Sequence, residues 1–497
     1  MAQSAVLAID EGTTNSKACL INAKGQIIAS GSAPVPIEHP KPGWVQQDAD
    51  AIWDATKAAI AECLEEKSNI KISAIGISNQ RESILIWDKK TGKPLGPVIT
   101  WQCRRTAKEC EELKAAGHEA DIIARTGLPI DPLFPPTKLA WLLRHSTTTQ
   151  NVCIGTIDSW LIWKLSGGAI HATDRSNAAR TQLFNLVEGA WDRKLCAIFG
   201  IDECMLPIVQ DSSYIFGETH KAIVIPDGIP IASAIGDSHS ALFGHGAFKH
   251  GDGKITFGTG SSVMTTVPKF ITPPKGITTT IAWSINGTST FALEGNILVS
   301  ASILPWTAKL LGLESVDDLL ELAKTANGTN GVSLVPAFVG LGSPHWDAHA
   351  RGLISGLSFG SGREHIALAA AESMAFQVLD VFSIIYEAIG SKGQIFVDGG
   401  PSGNSFLMQI VANTLNHPVG PGQDTELSAL GAAYMAGLAT KFWPNIETIS
   451  KLPRHLEKIT PKISSHDRNL AIEIWTNAIA QTKYKFQESY QTGFVRE

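Results

Sequence analysis

The 497-residue sequence lacks the patterns that mark secreted, membrane and zinc-binding proteins. Its seven cysteines include no Cys-x-x-Cys pair and no cysteine–histidine set at zinc-ligand spacing. We therefore expect reduced thiols, without disulfides or cysteine-bound metal. The apolar run at residues 5–9 is too short for a signal peptide or a membrane span, and no basic segment precedes it. These absences predict a cytoplasmic protein with no membrane partner.

An excess of positive charge is also lacking. The chain has 41 Lys and Arg against 47 Asp and Glu, a net charge of -6. Because nucleic-acid binders concentrate basic side chains to displace counterions, no nucleic-acid partner is expected. Two nucleotide motifs are missing as well, the dinucleotide fingerprint G-x-G-x-x-G between a strand and a helix and the Walker pattern G-x-x-x-x-G-K-[ST]. The first of these absences argues against an NAD-dependent oxidoreductase.

What the sequence contains is an alternation of short apolar runs and helical patterns. The chain is long enough for at least two domains, and 44% hydrophobic with 18% charged residues is an ordinary globular composition. Short apolar runs that end in polar residues are typical of core strands in a sheet flanked by helices, so we predict an α/β fold. Strands are predicted at residues 72–78, 98–101, 152–156 and 230–236, and a helix at residues 48–66.

A strand–turn–strand pattern occurs twice, near the N-terminus and in the middle of the chain. Each copy has an apolar strand, a turn rich in glycine and hydroxyl side chains, and a second strand, at residues 4–22 and 254–267. In the first copy the turn is predicted at residues 11–17. The repeat suggests two related lobes, and we predict domains at residues 1–247 and 248–497, with acceptor and phosphate sites in the first and the nucleotide in the second.

The first hairpin turn has the composition of a phosphate-binding loop. Asp10 ends its strand, and Gly12, Thr13, Thr14 and Lys17 follow. Glycine lets backbone N–H groups approach phosphate oxygens, the hydroxyls and the ammonium group add donors, and a carboxylate can hold Mg²⁺ through water. A single match of this kind more often marks a polar turn, but the second hairpin favours a functional interpretation.

The second hairpin turn contains Gly258, Thr259 and Gly260. Two such loops facing each other across a cleft would hold a polyphosphate from both sides. A third glycine turn, at Gly400, precedes a predicted helix at residues 405–415. The N-terminus of that helix can face an anion or a nucleoside.

Asp237, Arg81, Glu82 and Trp101 follow predicted core strands and could bind a small polyol. Asp237 suits a base that orients an attacking hydroxyl, although alone it would equally suggest a helix N-cap. Arg81 and Glu82 offer a donor and an acceptor to neighbouring hydroxyls. In isolation this pair and Trp101 would indicate a surface ion pair and a core tryptophan. Between two phosphate-type loops, we interpret them as a site for a hydroxylated substrate.

Long strings of residues in this sequence resemble the FGGY carbohydrate kinases from end to end, and among these the glycerol kinases most closely. These strings include Asp-Glu-Gly-Thr-Thr from Asp10, Lys-Pro-Gly-Trp-Val from Lys41, Gly-Ile-Ser-Asn-Gln-Arg-Glu ending at Glu82, Trp-Gln-Cys-Arg-Arg-Thr from Trp101, Phe-Gly-Thr-Gly from Phe257, Ala-Leu-Glu-Gly ending at Gly295 and Ser-Ala-Leu-Gly-Ala-Ala-Tyr from Ser428. The resemblance implies two ribonuclease-H-like lobes of the actin and sugar-kinase superfamily, with ATP and Mg²⁺ in the cleft between them. It is compatible with a homodimer or homotetramer.

The resemblance also implies roles for individual residues. By position, Asp10 would contact the metal and Asp237 would be the base. The acceptor would be held by Arg81, Glu82 and Trp101, and the adenosine would lie beside Gly400 and Asn404. The implied phosphate contacts are Thr13, Thr14, Lys17, Gly258, Thr259 and Gly260. Three acceptor-pocket positions depart from the glycerol kinases, where tyrosine, glutamine and phenylalanine are usual. They are Leu133, Ser238 and Ser262. All three are smaller, which widens the pocket.

These observations favour ATP-dependent phosphorylation of a terminal hydroxyl, with glycerol converted to glycerol 3-phosphate. Because of the wider pocket, a kinase of a four- or five-carbon polyol or ketose is the alternative. An actin- or chaperone-type ATPase without a small-molecule acceptor is a hypothesis of another class, and a catalytically silent sugar sensor is a third.

Overall fold

The computed structural model describes residues 4–483 except residues 66, 68, 423–425 and 455–456. The first half of the chain, up to residue 247, contains the strands β1 (Ser4–Glu11), β2 (Asn15–Asn22), β3 (Ile27–Pro34), β4 (Gln46–Gln47), β5 (Lys71–Asn79), β6 (Ile84–Asp88), β7 (Val98–Ile99), β8 (Val152–Thr156), β9 (Ala172–Asp174), β10 (Phe184–Asn185), β11 (Ala190–Trp191), β12 (Ile208–Gln210), β13 (Ser213–Glu218) and β14 (Pro230–Gly236). The second half contains β15 (Gly253–Phe257), β16 (Ser261–Val267), β17 (Thr278–Ile285), β18 (Thr288–Ile297), β19 (Ser333–Val335), β20 (Leu353–Ser355), β21 (Ile395–Asp398) and β22 (Val419–Pro421).

The helices of the first half are α1 (Ala49–Leu64), α2 (Ala107–Ala115), α3 (Glu119–Thr126), α4 (Pro135–His145), α5 (Ile157–Leu165), α6 (Arg175–Ala178), α7 (Arg193–Phe199) and α8 (Asp237–His245). Those of the second half are α9 (Ile303–Leu310), α10 (Val316–Lys324), α11 (Arg363–Ile389), α12 (Ser405–Leu415), α13 (Leu427–Ala439), α14 (Ile446–Ser450) and α15 (Ser465–Thr482). Short 3-10 helices lie at Glu203–Met205 and Gly400–Gly403.

One twelve-stranded sheet runs through both halves, in the order β22-β21-β15-β16-β18-β17-β13-β14-β5-β1-β2-β3. In the first half β1, β5 and β14 are parallel, and β2 forms an antiparallel hairpin with β1. The second half repeats this plan, with β15 parallel to β21 and β16 in a hairpin with β15. Where the halves meet, β13 and β17 pair only at Ser213 and Ile285. The two parts of the sheet therefore share a narrow junction.

Helices cover both faces of the first half's sheet. Residues 5–9 of β1 are all buried, as expected of a central strand with helices on each side. Helices α1 and α5 pack on one face. The other face is covered by α8 and by α13, which comes from the second half of the chain. At the crossing of these two helices, a Cβ atom on Gly431 would lie 1.9 Å from the carbonyl oxygen of Ser240. A glycine is required for this close approach.

The α/β class and both hairpins are confirmed. The strands predicted at residues 152–156 and 230–236 and the helix at 405–415 have the predicted bounds. The predicted strand at 72–78 extends one residue further at each end. The helix predicted at 48–66 runs as Ala49–Leu64, and Glu66 lies outside the described residues.

Three element predictions were wrong at their boundaries. β2 begins at Asn15 and not at residue 18, because its polar start stays paired with β1, with Lys17 opposite Asp10. The strand predicted at 98–101 is limited to Val98–Ile99. Helix α8 begins at Asp237 itself, with Gly236 in extended conformation as its N-cap, so the N-cap interpretation of Asp237 was wrong.

Helix α11 is the one described helix with the length and apolar composition needed to cross a membrane, with a mean hydropathy of 1.5 over its most apolar window. Within the protein, however, 78% of that window is buried. Its apolar residues pack into the core of the second half together with α10, α12 and β19. We therefore regard α11 as a core helix.

Candidate active site

The ends of three neighbouring parallel strands bring the predicted carboxylates together. Asp10 is the last residue but one of β1, and Asp237 directly follows β14, with β5 between these two strands. The register pairs Asp10 with Ser78 of β5 and Gly236 with the next residue of that strand. The Ser78 hydroxyl donates a hydrogen bond to Asp10 Oδ1 at 2.7 Å. Both carboxylates therefore lie at one edge of the sheet, as the strand-end pattern predicted.

Beside this edge, five charged side chains form a chain of alternating sign. Arg81 Nε is 3.3 Å from Asp237 Oδ1, and Arg81 Nη2 is 2.9 Å from Glu294 Oε1. Arg180 Nη1 donates to Glu294 Oε2 at 2.8 Å, and Arg180 Nε donates to Glu82. We call this set, Asp237–Arg81–Glu294–Arg180–Glu82, the acidic–basic chain. It brings together three predicted site residues and two that were not predicted.

The backbone at Glu82 is held in an unusual conformation. Its φ angle is 61°, in the left-handed region that non-glycine residues rarely adopt, and the residue is only 5% exposed. Such conformations persist where the surroundings impose them, and they cluster at functional sites. The contact with Arg180 is one such constraint on the Glu82 side chain.

Glu294 and Arg180 are the site residues that sequence reasoning missed. Glu294 stands in the inner part of strand β18, directly after Ala292 and Leu293, and none of its surface is exposed. A carboxylate that directly follows two apolar residues was the available signal, because buried charges are almost always paired. Arg180 follows α6 in an irregular segment, and nothing in the local sequence marks it.

The pKa values of Asp237 and Glu294, the two carboxylates beside Arg81, are shifted in opposite directions. Burial alone would raise the pKa of Glu294, but the guanidinium groups of Arg81 and Arg180 hold that pKa well below its usual range. Burial also raises the pKa of Asp237, and Arg81 opposes this rise only in part. The Asp237 side chain is 40% exposed and so reachable from the cleft. Glu294 thus stays ionised, whereas Asp237 is a more basic carboxylate than usual.

The chemistry around Asp10 suits a divalent cation. Burial and the negative charge of Asp237 together raise the pKa of Asp10 to about 6, against the hydrogen bond from Ser78. An excess of negative charge at this edge is what a cation would offset. The residues present therefore fit Mg²⁺.

The first predicted phosphate loop touches both the predicted acceptor site and the second half. The indole N–H of Trp101 donates to the Thr13 hydroxyl at 3.0 Å, which places a predicted acceptor residue against a predicted phosphate residue. Thr14 is exposed beside it. The Lys17 ammonium group binds both carboxylate oxygens of Glu426 at 2.9 and 3.0 Å. A phosphate that binds Lys17 would either compete with Glu426 or use the third N–H of the ammonium group.

The turn at Gly258–Gly260 and the turn at Gly400 follow β15 and β21, which are neighbouring parallel strands of the second half. Register places Thr256, two residues before Gly258, opposite Asp398, two residues before Gly400. The carbonyl oxygen of Gly258 accepts a hydrogen bond from the Ala301 backbone N–H at 3.0 Å, and that of Thr259 accepts one from the Ser300 backbone N–H at 2.8 Å. Gly258, Thr259 and Gly400 are exposed, and Gly260 is partly so.

Asn404 has a structural role in addition to the one predicted for it. Its side-chain oxygen accepts a hydrogen bond from the Leu407 backbone N–H at 3.1 Å and so caps α12. This cap fixes the start of α12 next to the Gly400 turn. The predicted contact of Asn404 with adenosine remains a prediction.

The three pocket positions that depart from the glycerol kinases lie in different elements. Ser238 directly follows Asp237, and its backbone N–H donates to that carboxylate at 2.6 Å. Ser262 of β16 pairs with Asn296, two positions along β18 from Glu294. Because alternate residues of a strand share a face, Ser262 lies on the same face of the sheet as Glu294.

Lys138 supports the wall formed by Leu133 and Trp101. Its ammonium group donates to the carbonyl oxygens of Leu133 at 2.9 Å, Thr100 at 2.9 Å and Trp101 at 3.3 Å. Lys138 is fully buried, and burial lowers its pKa to about 7. This one side chain therefore links two of the predicted acceptor positions.

Glu11, next to Asp10, is a buried carboxyl that should be protonated at neutral pH. It has no exposed surface; its Oε2 accepts from Thr56 at 3.3 Å, and its Oε1 has no hydrogen-bond partner among the described residues. Burial raises the pKa of Glu11 from its ordinary value of 4.5 to about 8.

We expect Glu11→Gln to stabilise the protein increasingly as pH rises. Between pH 4.5 and 8 the unfolded chain ionises at Glu11 while the folded chain keeps the proton, so wild-type stability falls with pH. The slope from this group is at most about 1.4 kcal/mol per pH unit, and glutamine removes it. Urea unfolding at pH 5 and pH 8 measures the difference. The exposed Glu218→Gln is the matched control, and an equal effect of Glu11→Gln at both pH values would contradict the prediction.

The chain is similar to known proteins along nearly all its length. Residues 5–244 match the N-terminal domain, and residues 253–440 the C-terminal domain, of the FGGY family of carbohydrate kinases. An apulose kinase of Pectobacterium atrosepticum is 42% identical over 489 residues, covering 97% of this chain and 98% of that protein. A glycerol kinase of Caldanaerobacter subterraneus is 43% identical over 486 residues, covering 95% and 97%.

A solved structure agrees with this similarity. The crystal structure of Plasmodium falciparum glycerol kinase with ADP superposes with a TM-score of 0.93 at 29% identity, covering 97% of this chain and 99% of that one. The two-lobed sugar-kinase fold expected from the sequence resemblance is confirmed.

Proposed function

Because the chain belongs to the FGGY family of carbohydrate kinases, we propose that it transfers the γ-phosphoryl group of ATP to a terminal hydroxyl of glycerol. Family membership makes it an ATP-dependent kinase of a small hydroxylated acceptor. The observation that carries the proposal is the convergence of Asp237, Arg81 and Glu82 in the acidic–basic chain, at the same sheet edge as Asp10.

In this proposal, Asp237 orients the attacking hydroxyl and accepts its proton. The hydroxyl oxygen forms a bond to the γ-phosphorus while the bond from that phosphorus to the bridging oxygen of ADP breaks. Because the transition state of phosphoryl transfer is loose, positioning matters more than strong basicity, and the proton leaves late. The exposed position of Asp237 and its raised pKa suit that role. Arg81 and Glu82 would pair with the remaining hydroxyls, and Trp101 would cover the carbon chain.

The nucleotide would lie between the two hairpin turns. The proposed phosphate contacts are Thr13, Thr14, Lys17, Gly258, Thr259 and Gly260, with Gly400 and Asn404 beside the adenosine. Lys17 would bind a phosphate oxygen either in place of Glu426 or beside it. Asp10 would hold Mg²⁺ through water, and that ion would neutralise charge on the phosphates.

A five-carbon ketose is the second candidate acceptor. Leu133, Ser238 and Ser262 are smaller than the residues usual at these positions in glycerol kinases, which leaves room for a longer or branched substrate. The similarity to an apulose kinase supports the same idea. Both candidates use the same base and the same phosphate loops.

Other classes of function are less well supported. Membership of a carbohydrate-kinase family argues against an actin- or chaperone-type ATPase that lacks an acceptor. Asp10, Thr259 and Asp237 are all retained, which argues against a silent sugar sensor. We further propose a domain division near residue 247, a cytoplasmic location, and a homodimer or homotetramer as the assembled form.

The proposal is tested by measuring ADP release with ATP and Mg²⁺ against glycerol, dihydroxyacetone, tetritols, pentitols, ribulose, xylulose and apulose. We expect the highest kcat/KM with glycerol and a phosphomonoester product detectable by ³¹P NMR. A ketose preferred over glycerol by more than about tenfold, which is 1.4 kcal/mol, would favour the second candidate. ATP turnover that no acceptor changes would point instead to an ATPase.

A further inference from the structure

One residue of the acidic–basic chain comes from the second half of the protein. Glu294 lies in β18, a strand inside the second half's part of the sheet, between β16 and β17. Arg81, Glu82, Arg180 and Asp237 all belong to the first half. The proposed acceptor site is therefore completed by a side chain from the other half of the protein.

Glu294 and Arg180 hold the two proposed acceptor ligands in place. Each carboxylate oxygen of Glu294 faces a different guanidinium group, Arg81 at 2.9 Å and Arg180 at 2.8 Å. Arg180 is 1% exposed, and its guanidinium carbon lies 5.3 Å from the centre of the Phe134 ring. Its Nε donates to Glu82. The orientation of both Arg81 and Glu82 therefore depends on this buried pair.

We infer that Glu294 and Arg180 are positioning residues for the acceptor: they fix Arg81 and Glu82 and make the acceptor site depend on the position of the second lobe. This inference rests on the proposed function, since Arg81 and Glu82 are proposed acceptor ligands. It adds a link between the two lobes that runs through side chains and not through the backbone junction of β13 and β17.

The acidic–basic chain is not expected to stabilise the fold more than apolar side chains in the same place would. Removing charges from water is unfavourable, and apolar side chains of similar volume generally stabilise a core at least as well. What an alternating chain provides is fixed geometry, because Arg81, Glu294 and Arg180 are each held between two neighbours of opposite sign. Arg81 Nη1 is buried with no hydrogen-bond partner among the described residues, so Arg81 is oriented by Asp237 and Glu294.

The backbone around Arg81 is built for this arrangement. A Cβ atom on Gly236 would lie 2.7 Å from Arg81 Cγ, too close for any side chain larger than hydrogen. Arg81 can therefore pass close to β14, the strand that Asp237 directly follows. If Glu294 lost its charge, Arg81 would keep a single acidic partner, Asp237, and would shift toward the group that must meet the acceptor.

The test compares steady-state kinetics of the full-length wild type with Glu294→Gln, which keeps the volume and removes the charge, and with Glu294→Asp. For Glu294→Gln we expect the KM for the best acceptor of the panel to rise about 100-fold, with kcat and the KM for ATP within about threefold. For Glu294→Asp, which keeps the charge on a shorter side chain, we expect a rise of about tenfold. If Glu294→Gln does not fold, Glu294→Asp carries the test.

Asp192→Asn is the matched control. It breaks another ion pair of the first half, between Arg125 and the buried Asp192 at 2.8 Å, and should leave the acceptor KM unchanged. An acceptor KM within about threefold of wild type in the Glu294 variants, or a loss confined to kcat, would overturn the inference alone. A wild type that phosphorylates no acceptor of the panel would overturn the proposed function and the inference with it.

Discussion

Replacing Asp237 with asparagine is expected to lower kcat for the acceptor about 10³-fold, the size of effect usual for removal of a catalytic base. Asparagine has the same shape and can still accept the hydrogen bond from the Ser238 backbone, but it cannot take the hydroxyl proton. Since Asp237 touches Arg81 and no predicted nucleotide residue, the KM for ATP should change little. Initial rates of ADP release at saturating ATP measure the effect.

Asp227→Asn is the matched control for this variant. Asp227 is exposed in a loop, where its carboxylate binds the His220 ring and the Lys221 backbone N–H. The same chemical change there should leave kcat unaltered. A kcat for Asp237→Asn within about tenfold of wild type would mean that another group accepts the proton. The assignment of Asp237 as the base would then be wrong, although the kinase class would stand.

Filling the acceptor pocket should change which substrate is preferred. We expect the double variant Leu133→Tyr, Ser262→Phe to raise the ratio of kcat/KM for glycerol to that for a five-carbon ketose about 100-fold. The new rings would occupy the space that a longer acceptor needs, while glycerol would gain contacts. Leu133 is held against Trp101 through Lys138, and Ser262 lies on the same face of the sheet as Glu294. The two substitutions therefore act from different lobes.

The measurement is the same substrate panel, run on wild type, each single variant and the double variant. Leu470→Tyr, on the exposed face of α15, serves as the control for adding a tyrosine, and it should not change the ratio. Equal losses with glycerol and with ketoses would show that the rings disturb the lobe and do not select between acceptors. The three departures would then carry no information on specificity.

The parts of the fold that follow from short-range patterns were predictable. Apolar runs that end in polar residues located β5, β8 and β14 closely, because burial on both faces leaves a continuous local signal. The start of β2 was not recognised, since Asn15, Ser16 and Lys17 look like a turn in composition. Asp237 was placed correctly at a strand end, but it is the first residue of α8 and not the N-cap of that helix.

The missed site residues depend on contacts between distant parts of the chain. Arg180 and Glu294 are 114 positions apart, and Arg180 lies 98 positions from Glu82. The ion pair of Lys17 with Glu426 joins residues 409 positions apart, and no local pattern connects them. Sequence reasoning supplied the residues that belong to recognisable motifs. The buried partners that orient them required the three-dimensional structure.

The packing of α13 on the first half's sheet has a consequence for synthesis of the chain. The face formed by β1, β5 and β14 stays uncovered by α13 until residues 427–439 have left the ribosome. At typical translation rates, the 192 positions between residues 247 and 439 take about 10 to 40 seconds to make. During that interval the apolar side chains that α13 will cover stay exposed on the nascent N-terminal part.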